Sequence, residues 1–562
     1  MVVGSDPGSR RRHAFRSLAG NGALVRVLAG YLLFVLTEYS VWIAMLVFAY
    51  SRGGATVAGL VAVAQLVPAA VVAPLVAPIA DRRSPVILLA GGYLVQAAAL
   101  AATAAAAMSG VPLAAYAGAA VAATAMTTTR PAQAALIPSV AATPDQLTAA
   151  NVVVGWLDAT GMAAAGLLAG VLISVAGVGS VFAVCAGLVV TAALLVARLQ
   201  VAPPTSEQEG GPPVLAGVGE GLRLAMRGPR LRLMLALLTA EAVVLGALDL
   251  LMVILAISVL DRPQAWAGYL NFACGVGAVV AATVSAVLVG RRLGAPILGA
   301  ALVLSGALAA LALGLGVVGT LALLAVAGAS GSWLEIAART LLQRSVPPRL
   351  IGRIFGLLEG LMMAGYAVGA LLVPVLVSIG GSQLALLGVA ALLPLAAAVG
   401  GRALFGLDAE TPVPVVEIAL LRSLPLFAEL PAPAIEGLAA ALTPVHLAPG
   451  AVLIRQGDHG DAYYAIAAGE LDVLHDGRFT ARCARGEGVG EIALLRDIPR
   501  TATVIARTAA TVYELHRDLF LTAVLGHAPT QRQADRIADA RLARDGAPGE
   551  GRNQGPDAPE PG

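Results

Sequence analysis

Residues Gly486 to Val504 read GEGVGEIALLRDIPRTATV. Gly490-Glu491-Ile492-Ala493-Leu494 opens a short helical signal directly after a glycine, and Pro499 is followed by Arg500-Thr501-Ala502 at the entry to a β-like run. A small phosphate ester carries negative charge, and it is held by an arginine together with main-chain amides at the first turn of a helix. Arg500 and the Ile492–Leu494 turn supply those groups, and Glu491 can accept a hydrogen bond from a sugar hydroxyl.

Outward from this stretch, short β-like runs begin at Val445 and are broken by Pro449-Gly450, Gly457-Asp458, Gly469-Glu470 and Asp476-Gly477. They resume as Ala502–Ala506 and Thr511–Leu515. Many short strands separated by turn residues predict a small β-barrel, and the runs Val416–Leu424 and Ala432–Leu442 predict two short helices ahead of it. From about Leu424 to Phe520 this segment resembles the cyclic-nucleotide-binding domains. That resemblance implies a phosphate-binding cassette made of Gly490, Glu491, Ile492, Ala493, Leu494, Arg500, Thr501 and Ala502. It implies a regulatory ligand, cAMP ahead of cGMP, although a Thr at the place of Thr501 accompanies cGMP preference in the eukaryotic kinase relatives. Beyond Phe520, Pro529–Arg544 is read as a polar lid helix without an aromatic to stack on the base, and the remaining Gly- and Pro-rich tail as disordered.

Everything before the barrel has a different composition. Over 562 residues the chain is 58% hydrophobic and 12% charged with a mean hydropathy of +0.84, outside the range of water-soluble proteins. A net charge of +2, without a basic stretch interleaved with aromatics, excludes a nucleic-acid partner. Cys185, Cys274 and Cys483 have no metal-ligand spacing and are read as buried thiols, with no metal expected. The start, MVVGSDPGSRRRHAFRSLAGNG, lacks the pattern of a removable signal peptide.

A bilayer core requires about 20 apolar residues per helix. Cutting at turns and charges predicts twelve spans, near 24–50, 54–80, 85–108, 112–130, 149–174, 179–198, 231–259, 265–290, 295–314, 319–342, 352–378 and 382–402. Arginines cluster in alternate loops, at Arg10–Arg12, Arg82-Arg83, Arg223–Arg232 and Arg291-Arg292, which places both termini on the cytoplasmic side of a bacterial inner membrane. Arg82 and Arg130 recur at a constant offset of 209 residues (291 − 82 and 339 − 130) as Arg291 and Arg339, the mark of a duplicated six-helix unit. The expected fold class is therefore an all-α polytopic membrane protein of twelve transmembrane helices in two six-helix repeats, followed by a small α+β barrel of jelly-roll type. Its parts are a basic leader (1–23), a first bundle (24–200), a linker (201–230), a second bundle (231–402), a linker (403–415), the barrel (416–528) and the lid helix with tail (529–562).

Ala77-Pro-Ile-Ala-Asp81-Arg82-Arg83 and Arg130-Pro-Ala-Gln-Ala-Ala-Leu-Ile-Pro138, followed by Leu147-Thr-Ala-Ala-Asn151, resemble the major facilitator transporters, in particular their drug-exporter-like branch, over roughly residues 20–402. The resemblance implies a cytoplasmic gating loop at Asp81, Arg82 and Arg83, a small-molecule cargo and no enzymatic activity. Ionisable residues at membrane depth are functional candidates in their own right, and here they are Glu38, Arg130, Asp158, Glu241, Asp249 and Glu359. Glu335 and Arg339, spaced i,i+4, are read as a structural pair. The function expected is proton-coupled export regulated allosterically by the nucleotide. A non-transporting nucleotide-responsive receptor and a lipid flippase remain alternatives, and cargo, direction, coupling ion and oligomeric state stay open.

Overall fold

The structure is a computed structural model that describes residues 18–80, 84–127, 129–141, 144–199, 228–285, 292–346, 351–410, 415–427, 430, 432–525, 530 and 533–539. It divides into two units, Met1–Pro412 and Val413–Gly562, described in turn below.

Every element of regular structure among the described residues of the first unit is a helix. In chain order its elements are α1 (Gly22–Ala80), α2 (Pro85–Met108), α3 (Pro112–Met126), α4 (Thr129–Val140), α5 (Pro144–Ala176), α6 (Val178–Ala197), α7 (Pro229–Ile254, prolonged by a π turn Leu255–Val259), α8 (Trp266–Val284), α9 (Gly294–Leu311), α10 (Gly316–Ser345) and α11 (Ile351–Glu410). In lipid the backbone must satisfy its own hydrogen bonds, which is why so apolar a chain is helical. Nine stretches of the described residues are long and apolar enough to cross a membrane. Two of them, Gly22–Val72 and Ile354–Gly400, run to 51 and 47 residues, about twice what one crossing needs. Each is broken at a glycine pair: Gly54 (φ 64°) within α1 and Gly381 (φ 71°) within α11 take left-handed backbone that a side chain would strain.

Small residues set how closely the helices approach. The run Gly161–Gly166 and the run Gly365–Gly369 were expected at such contacts. A Cβ on Gly166 would strike the backbone of α8 at Gly268 and Phe272, and one on Gly369 would strike the backbone of α7 at Val243 and Ala247.

Two boundaries differ from expectation. The fourth span was expected to run through Arg130. Instead α3 stops at Met126 and Arg130 lies in the first turn of a separate helix, α4. The break falls within a run of three threonines in the sequence, Thr127 to Thr129, the last of which opens α4, and β-branched hydroxyl side chains compete with the helical backbone for hydrogen bonds, as Thr127 does toward the Thr124 carbonyl (2.8 Å). The last span was expected to end at Arg402 with a linker from 403, whereas α11 continues to Glu410. Ala403–Glu410 contains good helix formers, and Pro412 is the first residue that opposes a helix.

The second unit begins with α12 (Val415–Ser423) and α13 (Ala432–Ala441) and continues with eight strands: β1 (Thr443–Leu447), β2 (Val452–Ile454), β3 (Ala462–Ala468), β4 (Leu471–His475), β5 (Arg478–Cys483), β6 (Gly488–Val489), β7 (Thr503–Ala506) and β8 (Ala510–His516). α14 (Glu491–Arg496) interrupts the strands between β6 and β7, and α15 (Arg517–Leu525) follows β8. The strands form two antiparallel four-stranded sheets, ordered β1-β8-β3-β6 and β2-β7-β4-β5, the double-sheet arrangement expected of a jelly roll. One apolar cluster lies between the sheets around Ile454, Ile466, Leu471, Val504 and Val512. A second joins the barrel to its helices through Phe427, Tyr463 and Phe520, whose rings lie 4.9–6.1 Å apart. Residues 533–539 are helical, with Ala534 part of that second cluster and Ile537 packed against it. The tail from residue 540 lies outside the described residues.

Candidate functional site

In the barrel, β6 delivers the chain to Gly490, whose φ of 95° only glycine adopts without strain, and α14 starts at the next residue. That turn aims Glu491, Ile492 and Ala493 into a pocket completed by Arg500, Thr501 and Ala502 at the approach to β7. The pocket encloses about 790 Å³ including its open mouth, and Ile454, Val473 and Val504 give it an apolar wall, dimensions suited to a small-molecule ligand. The structure thus brings together in one hollow the cassette residues singled out from sequence, with Gly490 at its rim and Leu494 buried beneath it.

Arg500 is 5% exposed. It donates from Nη1 to the Gly490 carbonyl (2.9 Å) and from Nη2 to the Ala462 carbonyl (2.7 Å). Its nearest acid, Asp461, stands 3.8 Å away and is 82% exposed. Two neutral carbonyls therefore orient the guanidinium without cancelling its charge. Burial pulls it below the ordinary arginine range, while Tyr464, Asp461, Glu491 and Asp458 push back. A buried guanidinium hydrogen-bonded to carbonyl dipoles, with its ion-pair acid at the longer distance of 3.8 Å, is suited to an anion.

Sequence reasoning missed the groups that hold Arg500. They are the Ala462 carbonyl at the start of β3 and Gly460, where any Cβ would press on the Arg500 guanidinium and on Ala493. The small-residue stretch Gly457–Ala462 was the available signal. Thr501 is fixed through its carbonyl, which accepts Nδ1–H of His475 (2.8 Å). The cassette helix is tied at its far end, where Arg496 pairs with Asp539 (2.6 Å) and Asp535 (3.6 Å) of the 533–539 helix and Asp497 pairs with Arg517 (2.6 Å).

In the helical unit the ionisable residues gather into two arginine-centred clusters. Arg130 donates from Nη2 to Glu38 of α1 (2.7 Å) and from Nη1 to Asp158 of α5 (3.1 Å). Tyr31 completes the first cluster: it donates to Asp158 (2.8 Å) and accepts from Arg130 (2.9 Å). The sequence reading passed over Tyr31, although it lies two helical turns before Glu38 on the same face. Arg339 of α10 holds Glu335 one turn away (3.0 Å), as the i,i+4 spacing predicts, and Glu359 of α11 (2.9 Å).

The remaining two acids differ from these. Asp249 of α7 accepts Nε1–H of Trp42 in α1 (2.9 Å). Glu241, two turns earlier on α7, is 0% exposed, and neither of its oxygens has a hydrogen-bond partner among the described residues. The expected gating loop, Asp81, Arg82 and Arg83, lies outside the described residues, and among those that are described no cluster of His, Cys, Asp or Glu could hold a metal ion.

Comparison with known proteins fits both halves of this picture. Residues 27–358 match the family model of the Major Facilitator Superfamily, and residues 444–527 match that of the cyclic nucleotide-binding domain. A cAMP-dependent protein kinase regulatory subunit of Yarrowia lipolytica is 38% identical over 112 residues, 19% of this chain and 30% of the relative. The Acetyltransferase Pat of Mycolicibacterium smegmatis is 41% identical over 133 residues, 23% of this chain and 39% of the relative. The chain thus spans between a quarter and two-fifths of the curated relatives it matches. Among solved structures, the regulatory domain of Toxoplasma gondii PKA with cAMP is 32% identical, with coverage of 23% of this chain and 50% of that one and a TM-score of 0.20.

Proposed function

Because the chain belongs to the Major Facilitator Superfamily, we propose that it works as a secondary active transporter, a proton-coupled exporter of a small molecule, and that a cyclic nucleotide bound in the C-terminal barrel regulates it. It is a membrane protein of a transporter family that carries a cyclic-nucleotide-binding domain, and neither family is enzymatic. The observation that carries the regulatory reading is Arg500, a buried guanidinium oriented by two carbonyls at the floor of a pocket that also holds Glu491. In the proposed complex Arg500 and the first-turn amides of α14 take the cyclic phosphate, Glu491 accepts the ribose hydroxyl, and the apolar wall seats the base. The preference proposed is cAMP over cGMP.

Twelve spans in two repeats, with both termini on the cytoplasmic face of a bacterial inner membrane, complete the proposal. The two overlong apolar stretches, each with a glycine break, and the 15-residue α3 support that count. Proton coupling is supported by the paired and unpaired carboxyls of α1, α5, α7 and α11, since a receptor without transport needs no acid withdrawn into the membrane. A bound nucleotide shifts the transport equilibrium only by its difference in affinity between the two states, about 1–3 kcal/mol in typical couplings.

The test is a distance reporter across the helical unit of the full-length protein in nanodiscs, titrated with cAMP. The expected result is a population shift that saturates with barrel occupancy and is absent in Arg500→Ala. Nucleotide binding without any shift would leave a binding domain and overturn the regulatory role.

A further inference from the structure

The ladder between β4 and β7 ends at the pair Leu474 and Thr503, so Arg500, Thr501 and Ala502, which carry the cassette into β7, lie beyond it. Their backbone is held by other means. The Gly457 N–H donates to the Arg500 carbonyl (2.9 Å), and the Arg500 N–H donates to the Asp458 carbonyl (2.8 Å). At the next residue the tie comes from a side chain: His475, the last residue of β4, donates from Nδ1 to the Thr501 carbonyl (2.8 Å).

His475 is itself fixed. It leads into the β4–β5 turn, where Asp476 and Gly477 take left-handed backbone (φ 50° and 76°). Gln456, in the loop after β2, clips that turn down, since its Oε1 accepts the Asp476 N–H (2.9 Å) and its Nε2 donates to Asp476 Oδ1 (2.8 Å). The Gln456 N–H in turn donates to Thr503 Oγ1 (3.1 Å). Side chains thus lace together the segments around Gln456, His475 and Thr501, while His475 stands outside the lining of the pocket.

The two neighbouring cassette side chains are oriented by different devices. Carbonyls of Gly490 and Ala462 hold the Arg500 guanidinium, and neither bond involves His475. Thr501 follows its own backbone, because a β-branched side chain has few χ1 choices once the backbone is set. From Arg500 the lining passes through Thr501 and Ala502 to Val504 of the apolar wall, so Thr501 stands between the places proposed above for the phosphate and the base. Adenine and guanine differ in the donors and acceptors along their edges, and a hydroxyl of fixed direction weighs them differently.

We infer that His475 is a positioning residue of the nucleotide site: by holding the Thr501 carbonyl it fixes the direction of the Thr501 hydroxyl, and through it the balance between adenine and guanine cyclic nucleotides, without touching the ligand. The inference rests on the cyclic-nucleotide reading above and adds to it a residue that tunes selectivity from outside the pocket.

Competition binding of cAMP and cGMP to the full-length protein tests it, with wild type beside His475→Ala, His475→Asn and His475→Gln. Asparagine carries an amide N–H at the place of Nδ1. Glutamine carries one at the place of Nε2, which lies 3.5 Å from Asp476 and away from the Thr501 bond. The His475 side chain is 34% exposed at a strand end, so all three variants are expected to fold, which thermal unfolding checks. His475→Ala and His475→Gln should change the cGMP-to-cAMP affinity ratio by a few-fold, no more than the loss of the Thr501 hydroxyl itself produces, and His475→Asn should restore the wild-type ratio. With Thr501→Ala already in place, His475→Ala should change the ratio no further. An unchanged ratio in His475→Ala refutes the positioning role. A ratio altered as much by asparagine as by alanine, or altered again on top of Thr501→Ala, reduces His475 to a structural tie. A wild type that binds neither nucleotide refutes the cyclic-nucleotide reading, and this inference with it.

Discussion

Among the described residues, Arg130, Arg339 and Arg500 are answered in two different ways. In the helical unit Arg130 and Arg339 each bind two carboxylates at 2.7–3.1 Å. In the barrel Arg500 binds two backbone carbonyls, and its ion-pair partner among the described residues, Asp461, is 3.8 Å away and 82% exposed. A guanidinium matched by carboxylates is electrically satisfied and ties helices together. One hydrogen-bonded to carbonyl dipoles, with its acid at the longer distance of 3.8 Å, keeps more of its charge for something that arrives later. The same side chain is thus a clasp in one unit and a receptor in the other, and the partner set decides which.

The largest effect expected from this contrast is at Arg500. Replacing it with alanine removes two or more charge-assisted hydrogen bonds to a bound phosphate, about 1.5–3 kcal/mol each, so cAMP affinity should fall by roughly 100-fold or more, as read by calorimetry. Breaking the clasp should act on stability instead. Arg130→Met leaves Glu38 and Asp158 facing each other across α1 and α5 and should cost about 1–2 kcal/mol for so half-exposed a group. Adding Glu38→Gln should recover part of that loss, a coupling that thermal unfolding of the single and double variants measures. Glu491→Ala should weaken cAMP by about tenfold, one hydrogen bond's worth, without lowering the melting temperature of the barrel. The smallest effect is at Thr501: Thr501→Ala should change the cGMP-to-cAMP affinity ratio by a few-fold, about 0.5–1 kcal/mol, and competition binding reads it directly.

What could be read ahead of the structure follows from how local each feature is. The gathering of Gly490, Glu491, Arg500 and Thr501 about one hollow was legible because they lie within a single short segment whose turn chemistry is carried by its own glycines. The short helices Val415–Ser423 and Ala432–Ala441 were legible from composition, within a residue or so at each end. The pair Glu335–Arg339 was legible from its spacing. Contacts that close over long sequence separations were not: Trp42 meets Asp249 across 207 residues and Arg130 meets Tyr31 across 99, and no periodicity encodes such a meeting. Arg130 was expected at the end of a span because apolarity continues past Met126, whereas the threonines that interrupt the helix act through hydroxyl hydrogen bonds that a hydropathy reading does not register. The isolation of Glu241 is likewise visible only once every neighbour has been placed.

The account stands on the incompletely answered charge of Arg500, and calorimetry of the full-length protein with cAMP and cGMP, wild type beside Arg500→Ala, examines it most directly. It predicts saturable one-site binding of a cyclic nucleotide by the wild type, tighter for cAMP, and its loss in the variant. No heat with either nucleotide, or equal heats from wild type and variant, would contradict it.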